Sequence, residues 1–313
     1  MRPAFSVVFL TTLIGAGQGL FLAMYAAEVG GALEWVETMP PRRFFVVGSV
    51  LSLVLCVLGL LASFFHLGRP ERAWRTAAMW RTSWLSREVI ALPLFMALAF
   101  GYGWSHYTGG GFSLAIGAFA WAACLVLFYC TAMIYACIKF LQEWASPFTF
   151  PNFLLMGCAS GATLAAALST LYARPITHGL AIAAAVLTGL ALASRLASLS
   201  RNARIQHKSS LQTAIGVANP HVRQVSQGFT GNSFNTIEFF HGLPAIGMRA
   251  IAVAFIVLAF VLPLVLIGLA IVAVSAGALA LAGGVQYAGL VIERWHFLAQ
   301  SQHPQNLYYQ NRS

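Results

Sequence analysis

Residues 44–66 read FFVVGSVLSLVLCVLGLLASFFH, a run without a single Asp, Glu, Lys or Arg. An α-helix rises 1.5 Å per residue, so ~20 apolar residues suffice to cross a hydrocarbon core about 30 Å thick. In lipid a helix also satisfies its own backbone hydrogen bonds. The run is therefore predicted to form a transmembrane helix.

Seven further apolar runs flank this one, near residues 5–27, 85–104, 112–140, 151–172, 178–199, 249–269 and 271–292. The first imitates a signal peptide, but it exceeds the usual core of about 7–15 residues and lacks a clean cleavage site. We therefore predict that it is a retained first span.

The composition points to the same fold class. Hydrophobic residues make up 59% of the chain and charged residues 8%, whereas a soluble domain carries about 25% charged residues. We predict an all-α integral membrane protein of about eight transmembrane helices, forming a single polytopic domain over residues 1–313. An arrangement as two four-helix bundles is open at this point.

The net charge of +10 arises from 18 Lys and Arg against 8 Asp and Glu. A soluble protein with this balance would suggest nucleic acid as a partner. Here the basic residues lie almost wholly between apolar runs, which favours a role in orientation, lipid contact or partner contact, and no nucleic acid.

Connections must alternate between the two membrane faces. The termini and the connections 67–84, 141–150 and 200–248 therefore share one face, here called the basic face. It carries 15 of the 18 basic residues: Arg2, Arg69, Arg72, Arg75, Arg81, Arg87, Lys139, Arg195, Arg201, Arg204, Lys208, Arg223, Arg249, Arg294 and Arg312. The opposite face carries Arg42, Arg43 and Arg174. The positive-inside rule places both termini in the cytoplasm, although a docking surface for a partner subunit would also explain the bias.

The cysteines and histidines bear on cofactors. The five cysteines lie within or beside apolar runs without CxxC spacing, so we interpret them as small buried hydrophobes and expect no iron–sulfur cluster and no metal site. The eight histidines lie at span ends or in connections, and haem ligation would need them inside spans at matching depth. We expect no haem in this chain.

The densest polar pattern joins the second and third spans. Gly68 and Pro70 end the second helix just after His66. Ser86 is a plausible cap for the third helix, and Glu88 lies about one turn inside it, where an unpaired charge costs roughly 2.5–3.5 kcal/mol. His66 and Glu88 are therefore predicted at similar depth near the basic face.

Two interpretations of Glu88 are open. It could form a structural ion pair with Arg87, Arg69 or Arg81. Alternatively, His66 and Glu88 could accept the protons that a quinol releases with its electrons. Aromatic residues around this connection, including Trp74, could line a ring-sized slot or merely anchor the helices at the interface.

Other polar residues bear on the class of protein. Gln18 lies near the middle of the first span and needs a polar partner or a cavity. The runs contain no mid-span Asp, Glu, Lys or Arg, which favours a site at the membrane edge over the broken, charged pathway of a transporter.

A Gly15–Gly19 pair predicts close approach of another helix to the first span.

Several motifs resemble those of the membrane-anchor subunits of dimethyl sulfoxide reductase and related molybdopterin oxidoreductases. They are SFFHLGRPERA at 63–73, SWLSRE at 83–88, LIGAGQGL at 13–20, ERWHF at 293–297 and HPQNLYY at 303–309. Length, helix number and motif order agree over the whole chain. The resemblance implies a non-catalytic-centre subunit of an oxidoreductase complex in the bacterial cytoplasmic (inner) membrane.

The resemblance also implies a function. The chain would bind and oxidise menaquinol or ubiquinol from the quinone pool in anaerobic respiration, with His66 as the quinol-linked histidine and Glu88 as its neighbouring carboxylate. Electrons would pass to an iron–sulfur subunit and then to a molybdopterin catalytic subunit.

We add Gln18, Arg69, Trp74 and Arg87 as residues expected near the quinol. Two alternatives are a passive membrane anchor without its own quinol site and a small-solute transporter. The terminal electron acceptor, the quinone type and the roles of the 200–248 connection and the C-terminal tail stay open.

Overall fold

The computed structural model describes residues 1–35, 38–65, 67–206, 208–219, 221–226, 238–273 and 275–308. Within these residues, eight helices are long and apolar enough to cross a membrane, which confirms the predicted fold class. They are α1 (Phe5–Ala32), α2 (Arg42–Phe64), α3 (Trp84–Thr108), α4 (Ser113–Ala136), α5 (Thr149–Tyr172), α6 (Thr177–Asn202), α7 (Ala245–Ala273) and α8 (Ala276–Ala299).

Several helices continue beyond the apolar runs that predicted them. The extra turns place Glu28 in α1, His106 in α3 and Glu293 in α8, and all three side chains are buried. Arg195, about two turns inside α6, is also fully buried. At these three helix ends the predicted apolar runs stopped too early, and the ionisable groups pair with one another inside the bundle, Glu28 with His106 and Arg195 with Glu293.

The eight spans form two four-helix bundles, the arrangement that the sequence left open. Helices α1, α2, α3 and α4 pack in a ring in which each contacts its neighbours, and α5, α6, α7 and α8 form a second ring. Extensive contact between α1 and α5 joins the two rings. We call this junction the seam.

Glycines allow the close approach at the seam. A Cβ atom on Gly19 of α1 would collide with the carbonyl group of Gly157 of α5, and one on Gly161 would collide with the backbone of Gly19 and Leu20. The Gly15–Gly19 pair therefore serves the close helix packing that its spacing predicted.

A π-helical turn, Val257–Val261, interrupts α7 just before Pro263. Proline has no N–H to donate to the carbonyl four residues earlier, and a π turn is one way to absorb that irregularity. Helix α8 packs against this turn through Gly289, where any Cβ would collide with the backbone of Leu258 and Ala259.

The start of the chain contacts the end of α8 and the residues that follow it. The amino group of Met1 donates hydrogen bonds to the carbonyl oxygens of Ala299 at 2.9 Å and Ser301 at 3.2 Å. Burial lowers the pKa of this amino group to about 6. The contact fixes the start of α1 against the end of α8, beside the cavity described next.

Candidate functional site

A narrow cavity lies at the seam and receives side chains from both bundles. Helices α1, α3 and α4 contribute from the first bundle, and α5 and α8 from the second. Its polar lining residues are Thr11, Thr12, Gln18, Glu88, Thr131, Ser160 and Arg294. So many polar groups inside a membrane bundle indicate a functional site.

Glu88 lies on the α3 wall of this cavity. Ser83 caps α3 by accepting a hydrogen bond from the backbone N–H of Ser86, so the cap is Ser83 and the prediction of Ser86 is wrong. This start places Glu88 about one turn inside the helix. Its carboxylate is partly buried, and Oε1 accepts a short hydrogen bond from the Thr131 hydroxyl of α4.

Gln18 lies on the α1 wall of the same cavity and is 2% exposed. Its Nε2 donates a hydrogen bond to the carbonyl oxygen of Cys124 at 3.0 Å. This contact and the cavity together supply the polar surroundings that a mid-span glutamine needs. The structure thus brings together Gln18 and Glu88, two residues predicted from separate motifs.

The other predicted site residues that the structure describes do not line the cavity. Arg87 donates hydrogen bonds to the carbonyl oxygens of Trp80 at 2.9 Å and Arg81 at 2.8 Å, and its guanidinium covers the Trp84 ring. Arg87 therefore fixes the end of the connection that precedes α3. Trp74 is 72% exposed on the basic face.

Arg69 is also exposed and does not line the cavity. His66 lies outside the described residues, so its predicted role stays a prediction. The preceding residue, Phe65, is exposed at the end of α2, on the basic face.

A buried ion cluster lies behind the cavity and was not predicted as part of the site. Arg195 Nε of α6 lies 2.8 Å from Glu293 Oε1 of α8. Arg294 Nη2 lies 4.0 Å from Glu293 Oε2. Arg195 Nη2 is also 3.4 Å from His296 Nδ1, so the cluster ties α6 to α8.

Arg294 extends this cluster to the cavity. Its guanidinium carbon lies 3.6 Å from the centre of the Phe153 ring, a cation–π contact that helps to hold a buried arginine. The motif Glu293-Arg294 directly follows an apolar run, and this position was the feature of the sequence that could have indicated a buried charge. Arg195, the partner of Glu293, is about 100 residues away in the sequence, so the pairing itself could not be predicted.

A second buried polar cluster lies toward the opposite face. Glu28 Oε1 is 3.2 Å from His106 Nε2 and accepts a 2.6 Å hydrogen bond from the Ser113 hydroxyl. Packed aromatic rings, Phe21 against Phe95 and Tyr102, lie on the same helices between this cluster and the level of Gln18. The two polar regions therefore have separate surroundings.

Two properties limit what the cavity holds. Its volume of about 20 Å³ is enough for roughly one water molecule. Within the described residues, no group of three His, Cys, Asp or Glu side chains could hold a metal ion. The ionisable side chains of the lining are the carboxyl group of Glu88, which can exchange a proton, and the guanidinium of Arg294, which can stabilise negative charge.

Comparisons with known proteins identify the family. Residues 1–309 match the family model described as DMSO reductase anchor subunit (DmsC). The chain belongs to this family. As a DMSO reductase anchor subunit family member, it is a multi-pass membrane anchor of the kind that serves a molybdopterin oxidoreductase complex with catalytic and electron-transfer subunits.

A curated relative agrees over the full length. The chain is 51% identical over 324 residues to a protein named as a sulfite dehydrogenase subunit, from Allochromatium vinosum, and the alignment covers 99% of each chain. The description of the family names DMSO reductase, whereas the name of this relative refers to sulfite dehydrogenase. Family membership therefore leaves the substrate of the complex open.

Proposed function

We propose that this anchor subunit exchanges electrons and protons between its oxidoreductase complex and the quinone pool at the seam cavity. The observation that carries the proposal is the meeting of Glu88, Thr131, Gln18 and Arg294 in one intramembrane cavity near the basic face. A quinone headgroup gains or loses protons with its electrons, and this cavity combines a carboxyl group with a fixed cation.

The similarity to a sulfite dehydrogenase subunit favours quinone reduction as the physiological direction. Sulfite and water give sulfate, two protons and two electrons. A quinone takes up two electrons and two protons to become a quinol. The quinol oxidation implied by the sequence resemblance is the reverse of this step, and the same residues would serve either direction.

Glu88 is the proton-exchanging group in this proposal. Its carboxyl group gives a proton to the ring oxygen during reduction and takes one during oxidation. The Thr131 hydroxyl holds Oε1 in place, and the neighbouring polar side chain of Gln18 offers a hydrogen bond to a ring oxygen. His66, expected beside the end of α2, would exchange protons between this region and the basic face.

A quinone ring needs more room than the cavity offers without a ligand. Leu10, Met156 and Leu290 line it beside the polar residues. Leucine and methionine side chains change rotamer without breaking hydrogen bonds. We expect the ring to enter by displacing these three side chains, with the isoprenoid tail remaining in the lipid.

The basic face is the proposed docking surface for the iron–sulfur subunit, which passes electrons between the cavity and a molybdopterin catalytic subunit. The 3₁₀ helix Pro70–Met79 presents Arg72, Arg75 and Trp74 there, all exposed. We place the protein in the bacterial inner membrane, with its termini in the cytoplasm by the positive-inside rule.

The proposal predicts that the purified complex reduces a soluble quinone with sulfite as the electron donor. The rate of quinone reduction is followed by absorbance, and a water-soluble dye serves as a second electron acceptor. The complex that contains this chain should reduce both acceptors. The same catalytic and iron–sulfur subunits without this chain should reduce only the dye, because the quinone site is missing.

The comparison of complexes with and without this chain also tests the alternative functions. Equal quinone reduction with and without the chain would make it a passive anchor and would contradict the proposal. If the complex oxidised quinol with dimethyl sulfoxide and showed no sulfite activity, the proposed quinone site would stand. Electrons would then flow in the opposite direction. Solute flux into vesicles that contain the chain alone would favour a transporter.

A further inference from the structure

The ion cluster at the cavity contains more positive than negative charge. Arg195 already neutralises Glu293 through a 2.8 Å contact, whereas Arg294 is 4.0 Å from the same carboxylate. Arginine stays charged inside proteins. These three residues therefore leave one positive charge, and Arg294 is the member that lines the cavity.

Arg294 also has unused hydrogen-bonding capacity. It is 5% exposed, and its Nε has no hydrogen-bond partner among the described residues. A buried donor without a partner destabilises the folded state, and more so when the group is charged. The Phe153 ring supports the face of the guanidinium but accepts no conventional hydrogen bond from its edge.

Glu88 also lines the cavity, so its protonation state sets the net charge of the lining. When Glu88 is ionised, its charge balances that of Arg294. When Glu88 is protonated, the cavity carries one uncompensated positive charge. A protonated Glu88 is the form that donates a proton, so the cavity is positive when a quinone is about to be reduced.

We propose that Arg294 binds the quinone ring oxygen while that oxygen carries negative charge, and thereby acts as a catalytic residue of the site. The inference rests on the proposed quinone function. An electron from the docked iron–sulfur partner makes the ring oxygen anionic, and the guanidinium stabilises this oxygen. The O–H bond then forms as the Glu88 carboxyl O–H breaks, which leaves Glu88 ionised in the cavity that Arg294 also lines.

Once the electron has arrived, the positive charge of Arg294 is offset both before and after the proton moves. Before proton transfer, the anionic ring oxygen offsets Arg294. After proton transfer, the Glu88 carboxylate offsets it. The second electron and second proton complete the quinol in the same way, once Glu88 has been reprotonated from the basic face.

Two naphthoquinones of similar size test the inference by binding affinity. 2-Hydroxy-1,4-naphthoquinone is an anion at neutral pH, and 2-methyl-1,4-naphthoquinone is neutral. We expect Arg294→Gln in the full complex to weaken binding of the anion by about tenfold to a hundredfold. Binding of the neutral compound should stay within about twofold, which also shows that the variant is folded.

Two further variants complete the test. Arg174→Gln is the matched control, because Arg174 lies at the opposite face and donates to the Thr170 carbonyl oxygen. It should change neither affinity. Glu293→Gln removes the negative charge beside Arg294 and should tighten binding of the anion several-fold, which provides a second readout if Arg294→Gln does not assemble.

The outcomes separate the inference from the function on which it rests. Wild-type affinity for the anion in Arg294→Gln, or equal loss of both compounds, would overturn the role of Arg294. Unchanged affinity for the anion in Glu293→Gln would do the same. A wild-type complex that binds neither naphthoquinone would overturn the quinone function itself.

Discussion

Glu88→Gln should lower quinone reduction by the complex by about 10²–10⁴-fold, the usual loss when a proton-transferring side chain is removed. Glutamine has nearly the same shape and can still accept a hydrogen bond from Thr131. It cannot exchange a proton. Activity with the water-soluble dye should stay unchanged, because the dye takes electrons before they reach the membrane.

Glu34→Gln is the control for this variant. Glu34 is an exposed carboxylate in the connection between α1 and α2, away from the basic face, and it does not line the cavity. Its replacement should leave both activities near wild type. Quinone reduction at the wild-type rate in Glu88→Gln would remove Glu88 from the mechanism, whatever the effect of the control.

Gly161→Ala should separate the two bundles. The added methyl group would meet the backbone of Gly19 and Leu20, and a backbone contact cannot be relieved by a side-chain rotation. Overpacking of this kind costs about 1–3 kcal/mol. We expect a lower midpoint of thermal unfolding in detergent and a loss of quinone binding, because the cavity depends on the position of α1 against α5.

Gly189→Ala provides the matched comparison. Gly189 lies within α6, and a Cβ atom there would meet no atom of the described part of the chain within 4 Å. Alanine also favours the helix over glycine. Its thermal midpoint should equal or exceed that of the wild type. Equal midpoints for Gly161→Ala and Gly189→Ala would mean that the seam tolerates a wider helix spacing.

The spans were predictable because a bilayer admits few backbone conformations. Hydropathy alone located all eight helices, and the Gly15–Gly19 spacing predicted a close helix contact. The helix ends were less predictable, since Glu28 and His106 look like interface residues in the sequence. Their pairing inside the bundle is a tertiary property, so the apolar runs ended too early.

The site was predictable in part for the same reason. Glu88 and Gln18 stood out because each is a polar residue inside an apolar run. Arg294 did not stand out, because the arginine-rich character of the basic face offered a simpler explanation. Only the packing of α8 against α5 shows that this arginine faces a cavity.

The seam has a consequence for how the chain can be divided. The first bundle supplies Gln18, Glu88 and Thr131, whereas Arg294 comes from the second. Neither half would retain a usable binding pocket if produced alone. A chain cut within the 137–148 connection should regain ligand affinity only when both fragments are synthesised together and find each other in the membrane.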